Sequence, residues 1–320
     1  MNLGHNIQFD LSSGDIDLII LVDPRTNLRS ISFGDREILK YLLFKNSKSL
    51  VIQVVHECDE RKGTKGLNKR LAWANNIADY TVFISEWQQQ LFLTQGFNFN
   101  NDSVIRNGSD EKIFTWDGIP KWSGQGPLKL VTHHWSNNWM KGFDIYVKLD
   151  EMLSSDKWRD RIKFTYIGNL PENFKFKNSL HIEPLASEDL ALQLKSHHAY
   201  LTGSINEPAG LHHIEGALSG LPILFRDSGA LPEYCSGFGE TFSNTDDFES
   251  ALERLISNYN HWSEKLKLYP YNFEKMCNDY QYLIDSMVGN WSNLIAKQEK
   301  SLSTVWKIKT MLGLTPKFTA

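Results

Sequence analysis

The chain has 320 residues, 41% hydrophobic and 22% charged, which suits a globular protein of about two domains. Ten Trp, eleven Tyr and eighteen Phe exclude a disordered polymer, which needs low hydrophobicity and few aromatics. Thirty-four Lys and Arg against thirty-eight Asp and Glu leave a net charge of −4, so there is no general electrostatic reason to bind nucleic acid.

The first residues, Met1-Asn2-Leu3-Gly4-His5, lack the order of a signal peptide. Apolar runs bounded by turn residues then predict strands at 15–23, 49–57, 80–84 and 103–106. Segments of helical period predict helices at 33–44, 67–77 and 86–95, the last opening with Ser85 and Gln88 at capping-box spacing. The longest purely apolar run, Leu18 to Val22, is far too short to span a bilayer. Residues 117–127, rich in Gly, Pro and Ser, read as a linker. A second series follows, with strands at 128–133, 162–167, 180–184, 199–202 and 222–225 and helices at 143–153, 188–195 and 211–218. A further helix lies at 246–257, with Thr245 as its N-cap. Alternating strands and helices of this kind build parallel sheets covered by helices. The simplest assembly is α/β, with two doubly wound Rossmann-like domains facing one another across a cleft and binding ligand at the carboxyl ends of their strands. Cys58, Cys235 and Cys277 are far apart and odd in number. They indicate neither a disulfide framework nor a zinc site, and point to a reducing cytoplasm.

The most specific stretch runs from Gly203 to Pro222. A strand enters a loop containing Gly210, and a helix opens at Leu211, so free amides and the positive helix end favour an anion there. Glu207 in the loop can reach a group beyond the phosphates. Glu215, eight residues on, can take a diol with its two oxygens. A nucleoside diphosphate sugar carries hydroxylated sugar, diphosphate and ribose together.

Glu207 and Glu215 form a Glu-x7-Glu motif. With Gly220-Leu221-Pro222 this resembles the retaining GT-B glycosyltransferases, the glycosyl transferases group 1 family. The resemblance extends through Val104-Ile105-Arg106-Asn107-Gly108, Lys141-Gly142 and Gly168, and covers about residues 15 to 290. It implies a cytoplasmic, metal-independent enzyme that moves a sugar from a nucleotide-sugar donor to a glycan or lipid-linked acceptor, keeping the anomeric configuration and needing no cofactor. Glu207 would position the sugar, Glu215 the ribose, and Lys141 with the loop at Gly210 and Leu211 the diphosphate. The family usually has an Arg a few residues before the lysine; this chain has His133-His134-Trp135-Ser136-Asn137-Asn138-Trp139-Met140, so Ser136 and Asn137 are the substitutes on offer. Gly168 completes the donor side. His56, at the end of its strand, matches a position that contacts donor sugar or acceptor. Glu57, Asp59 and Arg61, in a charged segment read as a loop, are acceptor-side candidates.

Six of the histidines come in adjacent pairs, and neighbours on a strand point opposite ways, which argues against a metal cluster. The one Asp-x-Asp, Asp15-Ile16-Asp17, opens a strand rather than ending one. Only fourteen residues precede the first clear strand, so the first domain is expected to lack the strand and Gly-rich loop that open it in the family. Domains are expected at 1–122, 123–275 and 276–320, the last crossing back to the first. A rival from another class is a non-catalytic nucleotide-sugar-binding or partner-binding protein on the same fold; binding without turnover separates the two.

Residues 291–320 carry Lys297, Lys300, Lys307, Lys309 and Lys317 against Glu299 alone, a local excess of positive charge. Leu302, Val305, Trp306, Ile308 and Leu312 can share a helical face. Such a helix either packs on the first domain, with Trp291, Leu294 and Ile295 beginning the contact, or lies on the anionic inner face of a membrane.

Overall fold

The computed structural model describes residues 4–99, 101–118 and 121–319, and for residues 298–301 the backbone only. Met1 to Leu3 of the start, Pro120 of the Gly- and Pro-rich stretch, and the side chains of Glu299 and Lys300 in the tail lie outside the described residues. The chain divides into two units, Met1–Arg106 with Cys277–Ala320, and Asn107–Met276. The stretch 117–127 falls within the second.

In the first unit, strands β1 (Leu18–Leu21), β2 (Leu50–Val55), β3 (Tyr80–Phe83) and β4 (Asp102–Val104) form a parallel sheet in chain order. Parallel neighbours need crossovers, and helices Asp35–Phe44, Leu67–Ala74 and Glu86–Thr94 supply them. Ser85 Oγ accepts from the Gln88 amide at 3.2 Å, but the Gln88 side chain donates to the Glu57 carbonyl, so only half of the capping box forms. All six residues of β2 are buried, as expected of a mainly apolar strand in a sheet covered on both faces, and its one polar residue, Gln53, donates to the Leu71 carbonyl.

The tail belongs to this unit. Trp306, on the helix Thr304–Met311, packs with Ile19, Leu21, Ile38 and Val51 and donates its indole N–H to the Trp73 carbonyl. The Trp73 indole in turn donates to Thr310 Oγ1 at 3.1 Å. The expected stripe is therefore split. Trp306 faces the core, while Val305, Ile308 and Leu312 are exposed.

In the second unit, β5 (Leu128–His134), β6 (Ile162–Gly168), β7 (Leu180–Ile182), β8 (Ala199–Thr202), β9 (Ile223–Arg226) and β10 (Gly239–Phe242) make one parallel sheet in the order β10-β9-β8-β5-β6-β7. This sheet is doubly wound. The chain steps outward from β5 to β7, then returns to place β8 on the other side of β5, and the reversal between β5 and β8 opens a crevice at their carboxyl ends. Tyr146, Trp158, Phe164, Tyr166, Leu201 and Phe248 fill its core. Two local expectations are corrected. The helix Phe248–Ser257 starts after Asp247, whose carboxylate accepts the Ser243 and Asn244 amides, so Thr245 is not the cap. Strand β10 and the short helix Leu231–Cys235 are too brief to register as periodic runs.

Candidate active site

The crevice at the β5 and β8 ends is shaped by two glycines. Gly142 has φ +100°, and a Cβ there would stand 2.4 Å from the Gly203 carbonyl carbon, so two backbones touch where any side chain would separate them. The Ile205 amide donates to the Met140 carbonyl at 2.8 Å and closes the same seam. Gly229, at φ +65°, approaches the Glu207 backbone as closely, and the Ala230 amide donates to the Glu207 carbonyl at 2.7 Å. The 3-10 turn Trp139–Lys141, capped by the Asn138 side chain on the Met140 amide, is thereby pressed against the loop that carries Glu207.

The two side chains meet. Lys141 Nζ donates to Glu207 Oε2 at 2.7 Å, with both residues buried. An ammonium and a carboxylate held so far from water are stable only as a pair. Glu215, in the helix Leu211–Leu218, places Oε2 2.7 Å from His133 Nε2. The other nitrogen of His133, Nδ1, lies 3.1 Å from the Tyr200 hydroxyl. Both carboxylates of the Glu-x7-Glu pair thus meet a group from just after β5 or from its end. His133, to which sequence reasoning assigned no role, is the partner of Glu215; its position at the end of a strand beside the reversal is the signal that could have found it.

Histidine rings from the end of β5 and from the helix Leu211–Leu218 nevertheless converge. His134 and His212 have centroids 4.7 Å apart, and His212 and His213 lie 4.9 Å apart. Thr202 Oγ1 engages His212 Nε2, and the Tyr146 hydroxyl engages His134 Nε2. Burial pushes His212 well below its ordinary value and His213 down to about 4, so both are neutral at pH 7. Both His213 ring nitrogens and Ser204 Oγ are buried without hydrogen-bond partners beside the Glu207 loop.

Gly210 precedes the helix start, and a Cβ there would stand 2.6 Å from His212 Nδ1 and 3.1 Å from Glu207 Oε1, so only a bare backbone fits against those two side chains. Leu211 is exposed. Gly168 pairs with His134 across β5 and β6 at a separation that no side chain would allow. Ser136 Oγ accepts from the Asn138 amide at 3.2 Å, so it shapes the turn. Asn137 instead lines a pocket of about 630 Å³ with Trp135, Asn169, Phe174, His181 and Glu183, at the ends of β5, β6 and β7. A second buried cation, Arg226 at the end of β9, pairs with Asp144 just beyond Lys141.

The candidates in the first unit differ in standing. His56 follows β2, half-buried, with its Nδ1 lacking a hydrogen-bond partner. The segment after it is not a plain loop, because Asp59–Lys62 forms a short helix. Asp59 is occupied there: its two oxygens accept from Thr64 Oγ1 and from the amides of Gly66, Leu67 and Asn68, so it holds its own turn instead of facing a ligand. Glu57 pairs with Lys62 at 3.1 Å, and Arg61 is half-buried in the short helix.

No protein-family model matches the chain, and no curated protein matches it. Its fold does match solved structures. HepE of Anabaena, solved with UDP-glucose, gives a TM-score of 0.63 at 12% identity over 84% of this chain and 79% of HepE. The pneumococcal O-GlcNAc transferase GtfA, solved with UDP and GlcNAc, gives 0.62 at 14% identity over 85% of this chain and 57% of GtfA. Sucrose-phosphate synthase from Thermosynechococcus elongatus gives 0.57 at 14% identity over 75% of this chain and 68% of the synthase. The chain therefore spans little more than half of GtfA and about two thirds of the synthase. These likenesses show the fold, two parallel-sheet α/β units of the GT-B glycosyltransferase type.

Proposed function

We propose that the protein is a retaining glycosyltransferase that takes a sugar from a nucleoside diphosphate sugar and passes it to a hydroxyl of a glycan or lipid-linked acceptor. One observation carries this reading: Lys141, Glu207, His133 and Glu215 are drawn together at the strand-order reversal of the second unit, beside a helix start preceded by Gly210. The solved structures of the same fold bound to UDP or UDP-glucose support it.

In this reading the diphosphate lies at the helix start by Gly210 and Leu211, and Lys141 neutralises the charge that builds on it as the sugar bond breaks. Glu207 accepts sugar hydroxyls while it keeps Lys141 in place. Glu215 accepts the two ribose hydroxyls, exchanging its bond to His133 for them. The pocket at Trp135, Asn137 and Asn169 takes the base. The acceptor oxygen attacks the face from which the nucleotide leaves, and a donor phosphate oxygen receives the acceptor proton, so the chain supplies no nucleophile and no metal is needed. In the first unit His56 is assigned to donor sugar or acceptor, with Glu57 and Arg61 on the acceptor side, where Asp59 instead holds the adjoining turn through its hydrogen bonds.

The test is turnover of a panel of nucleotide sugars with glycan and lipid-linked acceptors, reading nucleotide release and the anomeric coupling constant of the product. Release with the donor configuration kept in the product supports the reading. Tight binding with no release from any donor would favour the non-catalytic alternative, and an inverted product would remove retention.

A further inference from the structure

We infer that the tail helix and its neighbour in the first unit form a face that docks on an anionic lipid bilayer. The helix Thr304–Met311 is anchored from below by Trp306 and Thr310, both buried. Anchoring those two residues turns a row of apolar side chains outward: Val305, Ile308, Leu312 and Leu314 are 63%, 54%, 66% and 61% exposed. The helix Asp35–Phe44 packs beside it and ends with Leu43 and Phe44 exposed as well. A soluble surface seldom gathers this many large apolar side chains without a partner.

Charge names the partner. From Leu302 to Thr319 the chain has no Asp or Glu, while Lys309 and Lys317 are exposed and Lys307 is half-buried. On the neighbouring helix, Arg36 and Lys40 are exposed, and the Arg36 guanidinium is 3.7 Å from where a Cβ on Gly313 would stand, which ties the two helices' cations into one surface. The acidic groups of that helix are turned to other work. Asp35 is buried against Arg70, and Glu37 accepts the Gly34 amide at 3.1 Å. An apolar row flanked by cations, with no carboxylate on the tail helix and both carboxylates of its neighbour engaged, fits the boundary between anionic headgroups and acyl chains, while the exposed Asp10 sits by Lys45 just past Phe44. Among the described residues no helix is long and apolar enough to cross a membrane, so the contact is one of lying on the surface.

The full chain, without any donor, is floated with vesicles of phosphatidylcholine alone or mixed with phosphatidylglycerol, at low and high salt. The expected result is binding to the mixed vesicles, weakened by salt, and little binding to phosphatidylcholine. The double variant Ile308→Ser, Leu312→Ser changes only exposed side chains. It should keep the parent melting temperature and lose on the order of tenfold in partitioning. Lys309→Gln with Lys317→Gln should lose on the order of tenfold as well, since each cation near such a surface strengthens binding several-fold. Lipid docking is ruled out if the parent stays unbound at low salt, if neutral vesicles bind it equally, or if either double variant floats like the parent. It is ruled out too if the parent is a dimer that Ile308→Ser, Leu312→Ser dissolves, because the face then belongs to a second copy. None of these outcomes depends on sugar transfer.

Discussion

Replacing Lys141 by Met leaves the Glu207 carboxylate 2% exposed with its 2.7 Å partner removed. Removing one member of a buried ion pair costs about 3 to 5 kcal/mol, because the remaining charge stays out of water without its counter-ion. At roughly 2 to 4 °C per kcal/mol for a domain of this size, the second unit should melt about 6 to 20 °C lower. Glu207→Gln should cost less, since an amide oxygen still accepts from the ammonium. The informative variant is the double one, Lys141→Met with Glu207→Leu, which removes both charges and should recover most of the loss. Calorimetric melts of the parent, Lys141→Met, Glu207→Leu and the double form a cycle whose coupling reads the pair directly. A second readout belongs to function. In the proposed reaction either single variant lowers kcat/KM at least about tenfold, as expected from losing a charge-assisted hydrogen bond, and the stable double variant stays inactive. Singles that melt with the parent would show that the pair is neither buried nor coupled, and an active double variant would remove both residues from the chemistry.

Glu215→Ala should weaken nucleotide binding, measured by calorimetric titration, while Glu207→Ala mainly lowers turnover; equal nucleotide affinity for parent and Glu215→Ala would remove the ribose assignment. Gly142→Ala must place a Cβ against Gly203 at φ +100°, so it should cost more than about 2 kcal/mol in denaturant unfolding and abolish donor binding, and a neutral result would mean that the two backbones do not touch. Trp306→Ala should destabilise the first unit by about 3 to 5 kcal/mol, seen as faster amide exchange in helix Asp35–Phe44. Burial raises Asp79 to about 7 from an ordinary 3.8, against the pull of the Val51 amide and Lys297. The folded state therefore holds that proton more tightly than the unfolded chain. Its stabilising contribution is full below about pH 3.8 and is lost as pH rises through 7. Asp79→Asn should flatten that loss and exceed the parent at pH 8 by a few kcal/mol at most, on the order of 1.4 kcal/mol for each pH unit between the unfolded and folded values. A parent whose denaturant midpoint at pH 8 matches that of Asp79→Asn would show that the buried carboxyl holds no such proton.

The sheets were legible because most of their strands are short, mainly apolar runs bounded by turn residues. β2 and β8 lie at or within one or two residues of the expected positions, and β2 is buried along its whole length. β10, four residues with a Glu and a Thr among them, offers too few apolar positions for a period to emerge. The site was legible where chemistry is local: Lys141-Gly142 and Gly203 to Glu215 carry it in the order of their residues. It was illegible where partners come from distant strands. His133 and Glu215 are 82 residues apart, and only the reversal of strand order brings them together. The partners of Asp59 were not legible either, since its four hydrogen bonds, to Thr64 and to the amides that open the helix Leu67–Ala74, depend on how the chain turns after it. The tail stripe divides, since Trp306, bonded to Trp73, and Leu302 pack on the core while Val305, Ile308 and Leu312 stay outside.

Whether the second unit holds a nucleotide sugar decides between a donor site and a bare fold. The parent protein is to be melted in the presence of UDP-, GDP- and ADP-sugars, with and without a chelator, and the best ligand then titrated by calorimetry against the parent and Glu215→Ala. At about 100 times its dissociation constant a ligand of the folded state adds roughly 2.7 kcal/mol, which a melt resolves. At least one nucleotide sugar should raise the melting temperature, the chelator should leave this unchanged, and Glu215→Ala should lose most of the affinity. No stabilisation by any nucleotide sugar, or equal affinity in Glu215→Ala, would leave the Glu207 and Glu215 pair without the ligand proposed for it.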